Sequence, residues 1–241
     1  DGIRDRSPSR GLGDVYKRQA QHRLRFVMIG ARDGAPPPLP KPLYGTSKYG
    51  LPQYKTLREV ISDLVENPGL HSEYTEDQAF FFRHVPAGGN WRNLPENLKQ
   101  KALGGAWLSG GGKTGFFRRL SWDSPSPTII GRANRKASAL CHPDQTRPLS
   151  VKECARLQGF SDDWFFSGSM SQQYLQIGNA VPINLAAAVA KQVRKFAAID
   201  GESIRNHGHT YETEFMLEQA VKRLRSSAKN KRSTIEQTSF L

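Results

Sequence analysis

Three stretches of this chain set polar or charged side chains at spacings that chemistry uses. In the first, Gln21, Arg23 and Arg25 alternate ahead of the apolar run Phe26–Ile29. In an extended conformation they share one face, which puts three long polar groups at the mouth of a buried strand. Solvating the end of that strand is the plainest use for them. The second stretch is glycine-rich and basic, from Gly104 to Lys136. Lys113, Arg118 and Arg119 suit phosphate oxygens there, and Thr114 suits a base edge or backbone group, while Arg132, Arg135 and Lys136 add positive charge. The third, Arg147 to Ala190, contains Ser150 three residues ahead of Glu153, then the segment Gln176 to Pro182 reading QIGNAVP.

Two other attractive patterns fail on inspection. Gly112-Lys113-Thr114 resembles the tail of a nucleotide-phosphate loop, but such a loop needs glycine where Trp107 stands, and no capped helix follows. Cys141-His142-Pro143 lacks companions at metal-ligand spacing, so no metal site is expected. Cys154 falls at a buried-looking helical position, and both cysteines read as inert.

The elements that must hold these residues follow from local rules. Ser150 and Glu153 have capping-box spacing. The helix they start carries Val151, Ala155 and Leu157 inward and Lys152 and Arg156 outward, and it stops at Gly159 before an aromatic turn with Phe160 and Trp164. In QIGNAVP, Gly178 permits either a close backbone approach or a positive φ. Asn179 can bond locally to the backbone, and Pro182 suits the first turn of a helix. That helix shows Leu185, Ala186, Val189, Ala190, Val193 and Phe196 at three- and four-residue steps. Thr56 and Glu59 predict another capped helix with the stripe Leu57, Val60, Ile61, Leu64 and Val65. Phe26–Ile29 reads as a buried strand, Ala35–Leu43 as a proline-rich connector, and Phe215–Leu224 as a last amphipathic helix before a basic tail. Trp91, Phe116 and Trp122 are expected mostly in the core.

Composition narrows the class. The 241 residues hold 35 Lys and Arg against 22 Asp and Glu, a net charge of +13, with a pI near 10.0. Such an excess favours a polyanionic partner, most often nucleic acid. No apolar run approaches the ~18 residues of a membrane span. Two cysteines fit a reducing compartment, so a cytoplasmic, nucleoid-associated protein is expected. Residues 1–19 lack periodicity and resemble a library adapter or assembly scar. Only five of the basic and three of the acidic residues lie there.

RPLSVKECARLQGFSDDW followed by QIGNAVP closely resembles the two C-terminal signature motifs of the cytosine-5 DNA methyltransferases, and Gln-x-Arg-x-Arg resembles the motif upstream of them. The resemblance covers roughly residues 20–198 in family order. It implies that Arg25 approaches O2 of a flipped cytosine, that Arg23 helps order the catalytic site, and that Gly178, Asn179, Ala180 and Val181 line part of an S-adenosylmethionine pocket. Ser126-Pro127-Thr128-Ile129 resembles the regular end of the family's target-recognition region, where Thr128 and Ile129 approach the target base.

The implied fold class is α/β: the C-terminal remnant of a Rossmann-like S-adenosylmethionine-dependent domain with a small β-rich target-recognition domain. The expected boundaries are 20–70 for the end of the catalytic domain and connector, 71–146 for target recognition, 147–198 for the return to the catalytic domain, and 199–241 for a helix and basic tail. The implied reaction adds a cysteine thiolate to C6 of a cytosine in duplex DNA and methylates C5; a base then removes the C5 proton and the cysteine leaves. In the family that cysteine lies in a Pro-Cys loop, and no Pro-Cys dipeptide occurs here. The expectation is therefore a fragment, inactive alone, of a modification enzyme of restriction-modification type. A partner chain carrying the catalytic half is one possibility; a non-catalytic DNA-binding module or the recognition half of a split enzyme is the competing one.

Overall fold

A computed structural model describes residues 20–23, 27–29, 39–41, 44, 50–109 and 115–197. The adapter-like start, Arg25, Lys113, Thr114 and the helix expected at Phe215–Leu224 lie outside the described residues. Residues 20–23, 44 and 50–186 of this set belong to one compact unit, and 27–29, 39–41 and 187–197 to another.

Helices dominate. Thr56 and Glu59 make the expected reciprocal bonds, Thr56 N–H donating to Glu59 Oε2 at 2.7 Å and Glu59 N–H to Thr56 Oγ1 at 3.4 Å. The helix they start, α1, spans only Arg58–Ile61 before tightening into a 3₁₀ turn, Ser62–Leu64. Leu57, Ile61 and Leu64 are buried as the stripe requires. The next helix, α2 (Glu76–Arg83), is capped by Thr75 and Gln78 and buries Phe81 and Phe82. Pro95 precedes α3 (Glu96–Leu103), which ends at Gly104, where a φ of 56° favours glycine.

The Ser150–Glu153 box forms α4 (Val151–Gln158), and Gly159 ends it at φ 88°. Val151, Ala155 and Leu157 face inward as expected, and so do Glu153, Cys154 and Gln158. Lys152 is exposed and Arg156 is partly buried, pairing with Asp63 and Asp162. Ser169 and Gln172 cap α5 (Met170–Asn179), so QIGNAVP is the end of one helix and the approach to the next. Pro182 sits immediately before α6 (Ile183–Ala197), its carbonyl accepting from Ala186 N–H at 3.0 Å. Leu185 is buried, whereas Ala186, Ala190 and Val193 are exposed.

The described residues show little strand where a β-rich recognition domain is expected. They form isolated bridges only: Gln21 with Ser126 and Arg119 with Cys141 in parallel, Cys141 with Pro148 antiparallel. Pro125, Pro127, Pro143 and Pro148 each remove a ladder donor from these segments. Residues 27–29 carry no strand either, and Met28 is 62% exposed.

Two apolar clusters organise the larger unit. One gathers Leu57, Ile61, Leu120, Ile129, Leu140, Leu149, Leu157, Tyr174 and Ile177, so it crosses the boundary expected at 146/147. Truncating a fully buried leucine here to alanine costs about 2–5 kcal/mol. The other holds Phe81, Phe82, Val85, Leu94, Phe117 and Cys141. Trp91 and Phe116 pack against this second cluster and Trp122 against the first, each half-buried. No described helix is long and apolar enough to cross a membrane.

Candidate functional site

Alternation in the Gln-x-Arg stretch has the expected geometric result. Gln21 and Arg23 are buried while His22 between them is exposed. The Gln21 amide donates to Leu157 O at 3.0 Å and Gln158 Oε1 at 2.8 Å, and its oxygen accepts from Ile129 N–H at 3.0 Å. Gln158 in turn donates to Ile177 O at 2.8 Å. The Arg23 guanidinium, 3% exposed, donates to Ile129 O at 2.6 Å and to Gly178 O at 2.7 Å. Charge-assisted bonds of this length are the strong ones. Four segments therefore meet here: 20–23, 126–131, the end of α4 and the end of α5.

Thr128 stands beside this junction, partly buried, with its hydroxyl donating to His22 O at 2.8 Å. Ile129 is 1% exposed and belongs to the core. Gly178 takes the close-approach role rather than the positive-φ one. A Cβ there would lie 2.2 Å from Gly131 N and 2.5 Å from the Ile130 carbonyl carbon. Gly178 is buried, and its carbonyl accepts from Arg23. Asn179 and Val181 are exposed and Ala180 is half-buried. An exposed amide beside exposed apolar surface fits one wall of a cofactor pocket.

The basic residues divide sharply. Arg132, Arg135 and Lys136 are exposed on the turns between Gly131 and Ser138. Lys136 O accepts from Phe117 N–H at 3.0 Å, and Gln78 donates to Asn134 O at 3.4 Å, tying these turns to the aromatic cluster. Arg118 is half-buried, and desolvation pulls its pKa down. Arg119 corrects the expectation of a phosphate contact. It is 6% exposed, and its guanidinium donates to the carbonyls of Phe82, Val85, His142, Pro143 and Gln145 and to the Thr146 hydroxyl, at 2.7–3.3 Å. All of its donors point inward, leaving nothing to offer a phosphate.

Both cysteines are buried and free. Burial pushes the Cys141 thiol up to about 11 and the Cys154 thiol up as well, so neither is a thiolate at neutral pH. Among the described residues no group of three or more His, Cys, Asp or Glu could hold a metal ion.

Sequence reasoning passed over one buried cluster. Arg147 donates to both Glu153 oxygens at 2.8 Å, and the Ser150 N–H bonds the same carboxylate at 2.6 Å. His142, 0% exposed, accepts the Asp144 and Gln145 N–H groups at Nδ1 (3.2 and 3.1 Å) and brings Nε2 to 3.9 Å from Glu153 Oε1. Accepting at Nδ1 fixes the neutral Nε2–H form, and burial pulls its pKa down to about 4. The carboxylate of the capping box was the available signal, since a helix start with a buried glutamate demands a cation nearby.

The model of C-5 cytosine-specific DNA methylase domains matches residues 18–195. The chain belongs to that family. It is 41% identical over 175 residues to the type II methyltransferase M.Sau96I of Staphylococcus aureus, covering 72% of this chain and 40% of that protein. It is 48% identical over 195 residues to M.Eco47II of Escherichia coli (76% and 44%) and 38% over 190 residues to M.PspPI of a Psychrobacter species (74% and 43%). This family member thus spans about two-fifths of the length of these curated relatives. The family implies a fold dependent on S-adenosylmethionine. The interlocked residues Gln21, Arg23, Arg147, Ser150, Glu153 and Gly178 all lie within the matched range.

Proposed function

We propose that this chain supplies the target-recognition and C-terminal part of a DNA cytosine-5 methyltransferase that takes its methyl group from S-adenosylmethionine. The observation that carries the reading is the junction at Arg23, where the segment of Thr128 and Ile129 is bonded to the end of the QIGNAVP helix. A methyl transfer to a base needs a target-facing and a cofactor-facing segment held in register. Arg132, Arg135 and Lys136 supply contacts to duplex phosphates, with Lys113, Thr114 and Arg118 as further contributors. Arg25 supplies a cation to the flipped cytosine, whose extrusion costs a few kcal/mol.

When bound, S-adenosylmethionine supplies the electrophilic methyl group. Asn179 offers it a hydrogen-bonding amide and Val181 an apolar surface. What the chain does not supply is the nucleophile. Addition to C6 requires a thiolate, and both thiols are buried and held protonated. The cysteine that completes the reaction comes from the rest of the parent enzyme or from a partner chain.

Incubating the purified chain with labelled S-adenosylmethionine and cytosine-containing duplex tests this. The expected result is duplex binding with no label on the DNA. Label at C5 of cytosine without a second polypeptide contradicts the division of labour. Binding to no duplex at low salt removes the recognition role itself, whereas binding with no gain of activity from any cysteine-bearing partner favours a stand-alone DNA-binding module.

A further inference from the structure

We infer that Arg23 is a positioning residue that couples occupancy of the DNA-facing segment 126–131 to the conformation of the cofactor-facing segment 178–181. The inference rests on the DNA-recognition reading above and adds a specific route between its two halves.

The route is short and stiff. Thr128 and Ile129 lie on one segment and Gly178 at the last turn of α5, and one buried guanidinium holds the Ile129 and Gly178 carbonyls at 2.6 and 2.7 Å. Two acceptors on one planar fork are fixed in relative position as well as distance. Behind the fork there is no slack. The Gly178 Cβ position lies 2.2 Å from Gly131 N, and a Cβ on Gly131 would stand 2.9 Å from Leu175 Cδ1 and 3.0 Å from Leu175 Cα. Backbone therefore lies on backbone between the two segments, and close-packed interiors transmit strain rather than absorb it. A second tie reinforces the first. Gln21 takes the Ile129 N–H, and through Gln158 its amide reaches Ile177 O. Ile129 is thus held at both its N–H and its C=O, and each line ends on consecutive residues of α5. A duplex pressing on Thr128 displaces Ile129, and Gly178 has to follow.

Asn179 is the first side chain beyond this lock and is exposed. Its position, and that of Ala180 and Val181 behind it, is set by the turn that Arg23 grips. Binding energy at the DNA face is consequently available to order the cofactor face, and by linkage the reverse holds equally.

Amide hydrogen exchange on the full chain, without and with a saturating 20-base-pair duplex in low salt, reads the coupling directly. Duplex should slow exchange at Gly178, Asn179 and Ala180 by about 5-fold or more, the lower end of ordinary allosteric coupling. In Arg23→Lys, whose point charge reaches one carbonyl but not both, the duplex-dependent slowing should disappear at equal saturation. A residue that merely stabilised the fold would alter exchange in the free chain and leave the duplex-dependent difference intact. If Arg23→Lys fails to fold, Gly178→Ala wedges the two segments apart with Arg23 in place and should lose the slowing in the same way. Duplex binding with no change at these amides overturns the inference and leaves the recognition role standing, as does a wild-type response in the variant. A chain that captures no duplex in the parallel binding measurement overturns the recognition role, and the coupling with it.

Discussion

Two buried arginines stabilise two regions of this molecule by opposite means. Arg147, beside the cluster of Leu149, Leu157 and Tyr174, meets a carboxylate: Glu153 takes both ends of its fork at 2.8 Å and also caps α4. Arg119, against Phe82 and Val85 in the aromatic cluster, meets five backbone carbonyls and one hydroxyl. The first is a pair, so each partner depends on the other. The second is a cation solvated by chain, so its loss strands only neutral groups. A buried charge needs either device, but they fail differently. The pair concentrates its cost in one residue's absence, whereas the carbonyl shell spreads the cost over the end of α2, Val85 and residues 142–146.

Removing the cation from each region exposes the difference. Arg147→Met leaves Glu153 buried and uncompensated and should cost about 3–5 kcal/mol, read as a fall in the urea midpoint at unchanged slope. Replacing Glu153 by leucine as well should recover much of this, short of the ~1 kcal/mol of the lost cap. Arg119→Met should cost on the order of 3 kcal/mol through its stranded carbonyls, and no second substitution at a carboxylate should recover it. Recovery of Arg119→Met by neutralising an acid would erase the distinction.

The pH dependence sharpens the same contrast, because a histidine stands beside the pair. His142 has its pKa pulled from an ordinary 6.5 down to about 4 by burial, against the opposing pull of Glu153. Between those values the unfolded chain binds a proton that the folded chain refuses, so stability rises with pH there. The contribution is complete above about pH 6.5 and is lost as pH falls towards 4, by up to roughly 3 kcal/mol. Unfolding midpoints measured from pH 7 to pH 4 should show this slope, and His142→Asn should flatten it. An unchanged slope in the variant would assign the acid sensitivity elsewhere.

What could be read from the sequence was local. The Ser150–Glu153 box, Gly159 as a helix stop, and the burial of Leu57, Ile61 and Leu64 rest on spacings within one turn, where physics has few alternatives. Gln21 and Arg23 were legible as a face but not as a hub, because their partners are mostly carbonyls, and a carbonyl has no letter in the sequence. The same blindness placed Arg119 on the surface: in Arg118-Arg119 both residues look alike, and only the packing of Phe82 and the 142–146 loop tells them apart. The β-rich recognition region was an implication of the family resemblance, and among the described residues Pro125, Pro127, Pro143 and Pro148 leave room for bridges rather than ladders. In α6 the periodic face is only partly covered: Leu185 is buried and Val193 stands 44% exposed.

The smallest effect expected on stability is the largest on function, and it bears on the central claim that the exposed cations of residues 132–136 face DNA. Duplex affinity should be measured against salt for the wild-type chain and for Arg132→Gln/Arg135→Gln/Lys136→Gln, with the unfolding midpoint recorded beside it. Surface substitutions of this kind shift stability by about 0.5 kcal/mol or less each. If each cation neutralises one phosphate, the slope of log affinity against log salt should become shallower by roughly 2.7 in the triple variant, about 0.9 for each contact. An unchanged slope would contradict the account, as would duplex binding by the wild-type chain that does not depend on salt.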